Sequence, residues 1–403
     1  MVTVMPTVLH TADWHLGRTL NRFDLQEQQR EALESLIAIV ERESPDLVVI
    51  AGDVFDTPDR QPLAAIRTWT WFTDKVQQRF GERVPIVVIP GNHDHPDRLG
   101  YNANLTQRSG LYVLHDLTRA HVPLEIAGIE IFGVPFHRPP RVRALAPEGS
   151  AAAALDDFDY DGAMRHVLSR CLEHSSGRWP RLVVAHAFVA GAGDEDSSEE
   201  PLMVGGSGSV SASAFDGFDY VALGHLHTPR GLPGRAHVRY AGSLYPYAFD
   251  EAGEKGVTLL RWDDGAGPGT APEITALPLP VQRRVRVLAD LSFEAVLQAG
   301  EELRERGDPS LDDFVLVSVS DRNPIPHAQA RLSEVYPNAV FEQRRIDVPA
   351  DESFQAPDPA THSLEEVFEA FYRHVYGADE ALDDLERATL YEALARLGEG
   401  ASE

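Results

Sequence analysis

The sequence predicts an α/β fold in three parts: a large domain of two packed sheets layered αββα, a small α+β domain, and a helical tail. Three observations lead there. Residues 7–89 alternate short β-rich runs with helical patterns. Later apolar runs follow one another as strands, and Gly-, Pro- and Asp-rich linkers break the chain near 263–272 and 349–361. At 403 residues the chain exceeds the usual single-domain size, so two or three domains are expected.

Each element follows from its pattern. Residues 7–12 form a compact apolar run. Residues 23–43 place Leu25, Leu33, Leu36, Ile37 and Val40 near one helical face, and Asp24 with Glu27 suits a capping box. A second buried strand spans 46–51, a second helix 62–80 and a third strand 84–89. This βαβαβ order implies right-handed crossovers and parallel pairing. The runs 124–126, 130–134, 182–185, 220–223, 238–241 and 257–261 read as strands with no helix between them; they supply the second sheet and close a first domain over 1–265.

Beyond the linker, residues 273–348 read as strand, helix (293–307), strand (314–319), helix (325–336), strand. The tail, 362–398, opens on a capping box of Ser363 and Glu366. Leu364, Val367, Phe368, Phe371, Tyr372 and Val375 then form an apolar stripe. After Gly377 a second helix carries Leu382, Leu385, Leu390, Leu394 and Leu397. An acidic, then Gly/Ser-rich loop occupies 191–213.

Composition sets bounds. With 43% apolar and 25% charged residues the chain is typical of a soluble enzyme, and no stretch approaches the roughly 20 apolar residues of a membrane span. No cationic segment precedes an apolar run at residues 1–10, which argues against a secretory signal. The lone Cys171 fits a buried apolar role in a reducing, cytoplasmic setting. The formal charge of −27 argues against gripping a polyanion unaided. Divalent ions and a partner's basic surface would have to supply what the chain lacks.

Five motifs each place polar groups directly after an apolar β run. Asp13 and His15 follow the first strand, Asp53 the second, and Asn92, His93 and Asp94 the third; His186 ends LVVAH, and His225 and His227 end VALGHLH. The carboxyl ends of strands in α/β sheets form a ligand crevice, so these groups are expected to meet. Carboxylate, imidazole and amide oxygen without thiolate suit divalent ions such as Mn²⁺ or Fe²⁺. Asp53 is the candidate bridge between two ions. Gly52, Gly91 and Gly224 are expected to permit tight turns beside them. Single Asp-x-His pairs are commonplace and His121, His237 and His362 look unremarkable; the set of five in this order is what points to a site.

These ordered motifs resemble the calcineurin-like metallophosphoesterases. HTADWHLG (10–17), GGSGSVSASAF (205–215) and AGSLYPYAFDEAGEKGVTLL (241–260) narrow the resemblance to the nuclease subunits of bacterial SbcCD complexes, over nearly the whole chain. The resemblance implies a DNA exonuclease and endonuclease of repair and recombination, using two divalent ions, Mn²⁺ first and Fe²⁺ or Mg²⁺ as alternatives. It implies that Asp13, His15 and His227 hold one ion and Asn92, His186 and His225 the other, with Asp53 shared. His93 would face the scissile phosphate, with Asp94 orienting it. Asp56 stands where archaeal relatives have a histidine that handles substrate. The middle segment becomes a capping domain, and the tail docks the coiled-coil base of an SbcC-type ATPase. A homodimer through helices near 62–80 and 99–109 and a cytoplasmic protein, nucleoid-associated when on DNA, are implied as well. A small-molecule or cyclic-nucleotide phosphodiesterase is the alternative. A phosphoprotein phosphatase fits less well, since the second motif is GDVFDTPD and the third ends in Asp94. A scaffold with a vestigial site is disfavoured by five intact motifs.

Overall fold

The computed structural model describes residues 5–145, 159–193, 208–251, 253–319, 321, 324–343, 357, 361–376, 382 and 387–392. In chain order the first half comprises β1 (Thr7–Thr11), a minimal hairpin of β2 (Thr19–Leu20) and β3 (Phe23–Asp24), α1 (Gln26–Glu43), β4 (Leu47–Ile50), α2 (Leu63–Phe80), β5 (Ile86–Val88), the single turns α3 (Pro96–Leu99) and α4 (Ala103–Thr106), and β6 (Leu111–Val113). There follow β7 (Leu124–Ile126), β8 (Ile129–Val134), α5 (Pro139–Leu145), α6 (Tyr160–His174), β9 (Arg181–His186), β10 (Tyr220–Gly224), β11 (Arg230–Leu232), β12 (Arg235–Tyr240), β13 (Gly256–Arg261) and β14 (Glu273–Pro278). One sheet has the order β14-β13-β1-β4-β5-β6, the other β11-β12-β10-β9-β8-β7. In the first, β1, β4, β5 and β6 run parallel; in the second, β8, β9, β10 and β12 do.

The two-residue period of the strands builds the layers. Val8, Val49 and Val87 point inward and meet Ile131, Leu182, Val184 and Ala222 of the facing sheet, all fully buried. Their neighbours Leu9, Val48, Ile50 and Val88 point outward under Leu33, Leu36 and Val40 of α1 and Phe72 and Val76 of α2. On the far side Val183, Ala185, Val221 and Leu223 pack against Ala163, Met164 and Leu168 of α6. The result is the αββα sandwich.

Three details differ from the sequence reading. Two helices, α5 and α6, do stand between the strands of the second half; the buried Tyr160, Ala163, Met164, Val167, Leu168 and Cys171 of α6 follow helical spacing behind an Asp159 cap. The first helix starts later than expected. Phe23 and Asp24 pair with β2, Leu25 takes the N-cap position, and Asp24 accepts from the Gln26 N–H (2.9 Å) instead of forming a capping box. Residues 273–278 belong to the first sheet, where β14 pairs antiparallel with β13 along all six positions. The run is half-exposed at a sheet edge, so its sequence does not show which sheet it joins.

The smaller domain is a three-stranded parallel sheet, β15 (Val285–Leu291), β16 (Phe314–Val319) and β17 (Ala339–Gln343), with crossovers α7 (Phe293–Arg306) and α8 (Ala328–Val335). It seats on the large domain through Leu20, Leu25, Tyr245, Tyr247, Val285 and Phe314. In the tail, α9 (Leu364–Tyr376) carries the expected capping box: Ser363 N–H donates to Glu366 (2.7 Å) and Glu366 N–H to Ser363 Oγ (3.2 Å). Residues 387–392 are helical, and Leu382 and Leu390 pack with Tyr372. Leu385, Leu394 and Leu397, and residues 194–207 of the Gly/Ser-rich loop, lie outside the described residues.

One buried group makes the sandwich acid-sensitive. His10 on β1 is wholly enclosed between the sheets, with Nδ1 3.1 Å from the Tyr220 hydroxyl. Burial, helped by the positive charge of Arg239, lowers its pKa to about 3. A free imidazole titrates near 6.5, so between those values the unfolded chain binds a proton that the fold refuses. Stability is therefore lost as pH falls through about 6.5, by on the order of 3 kcal/mol between pH 7 and pH 4 from this group. His10→Phe is expected to recover that much of the difference between thermal melts run at pH 7 and pH 4 in chelator. Equal pH sensitivity in both proteins would contradict it.

Candidate metal centre

Five parallel strand ends deliver the site. β1, β4 and β5 of one sheet and β9 and β10 of the other all finish on the same edge, so the loops after them face one another across the seam. The two loops carrying Asp13 and Asp53 are zipped together by backbone hydrogen bonds: Asp13 N–H to Gly52 O (3.1 Å), His15 N–H to Asp53 O (2.9 Å) and Leu16 N–H to Val54 O (2.9 Å). Two further bonds stitch the sheets: His186 Nδ1–H donates to the Ala51 carbonyl (2.9 Å), and the His225 N–H donates to Asp13 Oδ1 (2.8 Å). Asp13, His15, Asp53 and His225 all have positive φ, a conformation that costs a side-chain-bearing residue about 1–3 kcal/mol. Such strain gathered in one place is the mark of a functional site rather than of loop economy.

Gly52 supplies the expected positive φ, 93°. Gly91 and Gly224 serve differently from the turn role read from the sequence. A Cβ at Gly91 would collide with the Asp53 carboxylate, and one at Gly224 with the Ala51 carbonyl. What they permit is close approach of backbone to the donors.

The donors converge. Asp13, His15 and His227 bring ligand atoms within 4.8 Å of one another, and so do Asp13, Asp53 and His186. Asp53 Oδ2 lies 3.3 Å from His186 Nε2 and 3.6 Å from His15 Nε2, between the two groups. Asn92 Oδ1 is 2.8 Å from His186 Nε2. His225 enters neither tight cluster; its buried ring faces that of His186 with 5.5 Å between centroids. His15, Asp56 and His93 form a third group at the same spacing, less buried than the other two and on the outer side of His15.

Proton placement shows what this cage is built for. The Ala51 carbonyl can only accept, so His186 carries its proton on Nδ1 and turns the Nε2 lone pair toward Asn92 Oδ1, itself an acceptor. With the amide oxygen on that side, a cation held by both acceptors satisfies the 2.8 Å contact. Without a metal, a second proton serves: although burial opposes it, Asp53 and Asp13 push His186 up to about 9. Burial raises Asp13 to about 6 against the pull of His186 and His227. Burial works the same way on Asp53, but the charge and hydrogen bond of His186 win and hold it well below the usual carboxylate range. Asp13 Oδ2 is buried and accepts no hydrogen bond. An orphaned carboxylate oxygen, facing lone pairs and oxygen/imidazole donors fit divalent cations, whose binding displaces these protons.

The surrounding groups have roles of their own. His93 Nδ1–H donates to the Asp56 carbonyl (2.8 Å) and its backbone N–H to Asp53 Oδ1 (2.8 Å), so the Asp56 main chain orients the ring. Asp94, expected to do so, instead accepts from the buried N–H groups of Val54, Phe55 and Gly91, each at 3.0 Å. Each such donor left unpaired costs about 1–3 kcal/mol, which makes this carboxylate the brace of the second and third motif loops. Asp56 ion-pairs with Arg18 (3.0 Å) and lies 3.4 Å from His15 Nδ1. Burial disfavours its charge, yet His15 and Arg18 lower its pKa. Gln29 holds the same loop, donating to the His15 carbonyl (2.7 Å). Arg18, Gln29 and Glu251 escaped the sequence reading because none belongs to a ligand motif. Glu251 sits in the 241–260 segment whose resemblance was visible but whose chemistry was not.

Comparison with known proteins fits this geometry. Residues 6–229 match the family model described as calcineurin-like phosphoesterase. The chain belongs to that family. Residues 281–376 match a second model, described as the type 5 capsule protein repressor C-terminal domain. A curated relative, the SbcD subunit of the SbcCD nuclease of Staphylococcus epidermidis, is 28% identical over 371 residues, covering 91% of this chain and 93% of its own. The resemblance to SbcCD nuclease subunits read from the motifs thus extends through both domains. Among solved structures, a dimetal phosphatase from Danio rerio aligns over 68% of this chain and 99% of its own, at 12% identity and a TM-score of 0.39. So loose a superposition says nothing about the site.

Proposed function

We propose that this phosphoesterase is the nuclease subunit of an SbcCD-type complex, cutting DNA at double-strand ends and hairpins in repair and recombination. The observation that carries the reading is the convergence of Asp13, His15, Asp53, Asn92, His186, His225 and His227 from five strand ends, within a chain whose relative is matched over nearly its whole length. Asp13, His15 and His227 would hold one divalent ion, Asn92, His186 and His225 a second, and Asp53 both. When bound, such a pair supplies Lewis acidity and a water ionised near neutral pH. Mn²⁺ is the first assignment on donor chemistry, with Fe²⁺ and Mg²⁺ behind it.

The chain's own residues do the rest. Asp53, with Oδ1 fixed by the His93 N–H, would be held in place to serve both ions. His93, anchored through Nδ1 on the Asp56 carbonyl, would present its ring to the scissile phosphate and give a proton to the departing sugar oxygen. Asp56 acts on the His15 imidazole rather than on substrate.

Exposed apolar residues support the proposed partners. Leu364, Phe368 and Phe371 of α9 are partly exposed, which supports docking of the tail on an SbcC-type coiled-coil ATPase. Leu63 and Ile66 of α2, with Tyr101 and Leu105 after it, are likewise exposed and support a homodimer. Among the described residues no helix is long and apolar enough to cross a membrane, in keeping with a cytoplasmic, nucleoid-associated protein. DNA affinity would be shared with the ATPase, since a charge of −27 opposes it here.

The test is a comparison of a DNA hairpin, a blunt duplex, a cyclic nucleotide and a phosphopeptide, each with Mn²⁺. Cleavage of both DNAs, stimulated by the ATPase and ATP, is expected. Hydrolysis of the cyclic nucleotide with intact DNA would assign a small-diester enzyme instead.

A further inference from the structure

We propose that Glu251 is a positioning residue that fixes the His227 imidazole as a metal ligand, with Lys255 holding the carboxylate in place. The inference rests on the metal-centre reading above and extends it to a segment, 243–255, with no ligand of its own. His227 Nδ1 lies 3.0 Å from Glu251 Oε1, and both side chains are buried to within 1%. A carboxylate can only accept, so the imidazole proton sits on Nδ1 and the Nε2 lone pair turns toward His15 Nε2, 3.0 Å away. The other carboxylate oxygen, Oε2, accepts from Lys255 Nζ (2.9 Å) and from the Tyr247 N–H (3.2 Å). Lys255 Nζ and the Ser243 N–H also donate to the His227 carbonyl, at 2.9 and 3.0 Å. The segment therefore grips His227 at ring and backbone together.

Burying a Glu–Lys pair is a poor way to gain stability, because desolvation offsets most of the attraction. Here the pair does something an apolar pair could not: it dictates which imidazole nitrogen is left for an ion. A neutral acceptor would orient the ring, but only an ionised one also raises its basicity as a ligand.

The test compares two double variants that strand no buried charge. Glu251→Gln with Lys255→Met keeps an oxygen able to accept from His227; Glu251→Leu with Lys255→Met does not. Mn²⁺ binding to the whole protein is titrated by calorimetry and by the electron paramagnetic resonance signal of the free ion. In the Leu-containing double, one of the two sites is expected to weaken by about 10–100-fold relative to the Gln-containing double, with the other unchanged. Equal affinities, with only the melting temperature in chelator differing, would make the pair structural and overturn the inference. A parent that binds no Mn²⁺ overturns the metal-centre reading and this inference together, whereas a parent binding two ions with equal doubles overturns this inference alone. Should the Leu-containing double fail to fold, ¹⁵N spectra of histidine-labelled, metal-free parent decide it, assigned with His227→Gln. A proton on Nδ1 is expected for His227; a proton on Nε2 alone contradicts the assignment.

Discussion

His93→Gln is expected to slow phosphodiester cleavage by about 10²–10⁴-fold while Mn²⁺ uptake stays at the parental level. The separation follows from how His93 is held. Its backbone N–H, which no side-chain substitution removes, is what steadies Asp53, at 2.8 Å. Its ring belongs to neither cluster built on Asp13 and is pinned through Nδ1 on a main-chain carbonyl. Glutamine can mimic a hydrogen bond but cannot deliver a proton near neutral pH. The measurement is a steady-state cleavage rate on a DNA hairpin beside a calorimetric metal titration. A parental rate would remove His93 from the chemistry; lost metal would make it part of the cage.

Removal of residues 360–403 is expected to abolish co-purification with an SbcC-type ATPase, an effect near all-or-none, yet leave Mn²⁺-dependent hydrolysis of a small diester within about twofold. The tail helix α9 follows a Pro- and Asp-rich linker, and its capping box sets it up as a helix in its own right. Its exposed Leu364, Phe368 and Phe371 offer the apolar face a helix-in-groove or helix-on-helix contact requires. None of the metal donors lies within it. Retained binding after truncation, measured by pull-down and analytical gel filtration, would move the interface elsewhere.

How much of this was legible beforehand depended on which physical signal each part carries. The sandwich is written in local pattern: buried runs such as 47–50 and 86–88 are apolar on both faces because both faces are covered. The meeting of the candidate donors was legible because strand ends impose order, and five motifs in that order leave little freedom. Edge strands are another matter. Glu273–Pro278 is held by backbone pairing to β13, and backbone pairing leaves no mark in side-chain sequence. The outer shell was illegible for a related reason. The Asp94 carboxylate binds backbone amides of two loops, the Asp56 carbonyl orients His93, and Glu251 reaches His227 from 24 positions away. Each is a long-range contact to an ordinary residue type, with no periodicity to betray it. The helix α6, by contrast, was there to be read and was missed, since its stripe from Tyr160 to Cys171 has plain helical spacing.

The most direct measurement is anomalous scattering at the manganese edge from crystals of the protein soaked in Mn²⁺. Two peaks roughly 3.5–4 Å apart are expected, flanking Asp53, with Asp13, His15 and His227 around one and Asn92, His186 and His225 around the other. A single peak, or density only outside this cage, would contradict the dinuclear centre and with it the nuclease chemistry assigned to the chain.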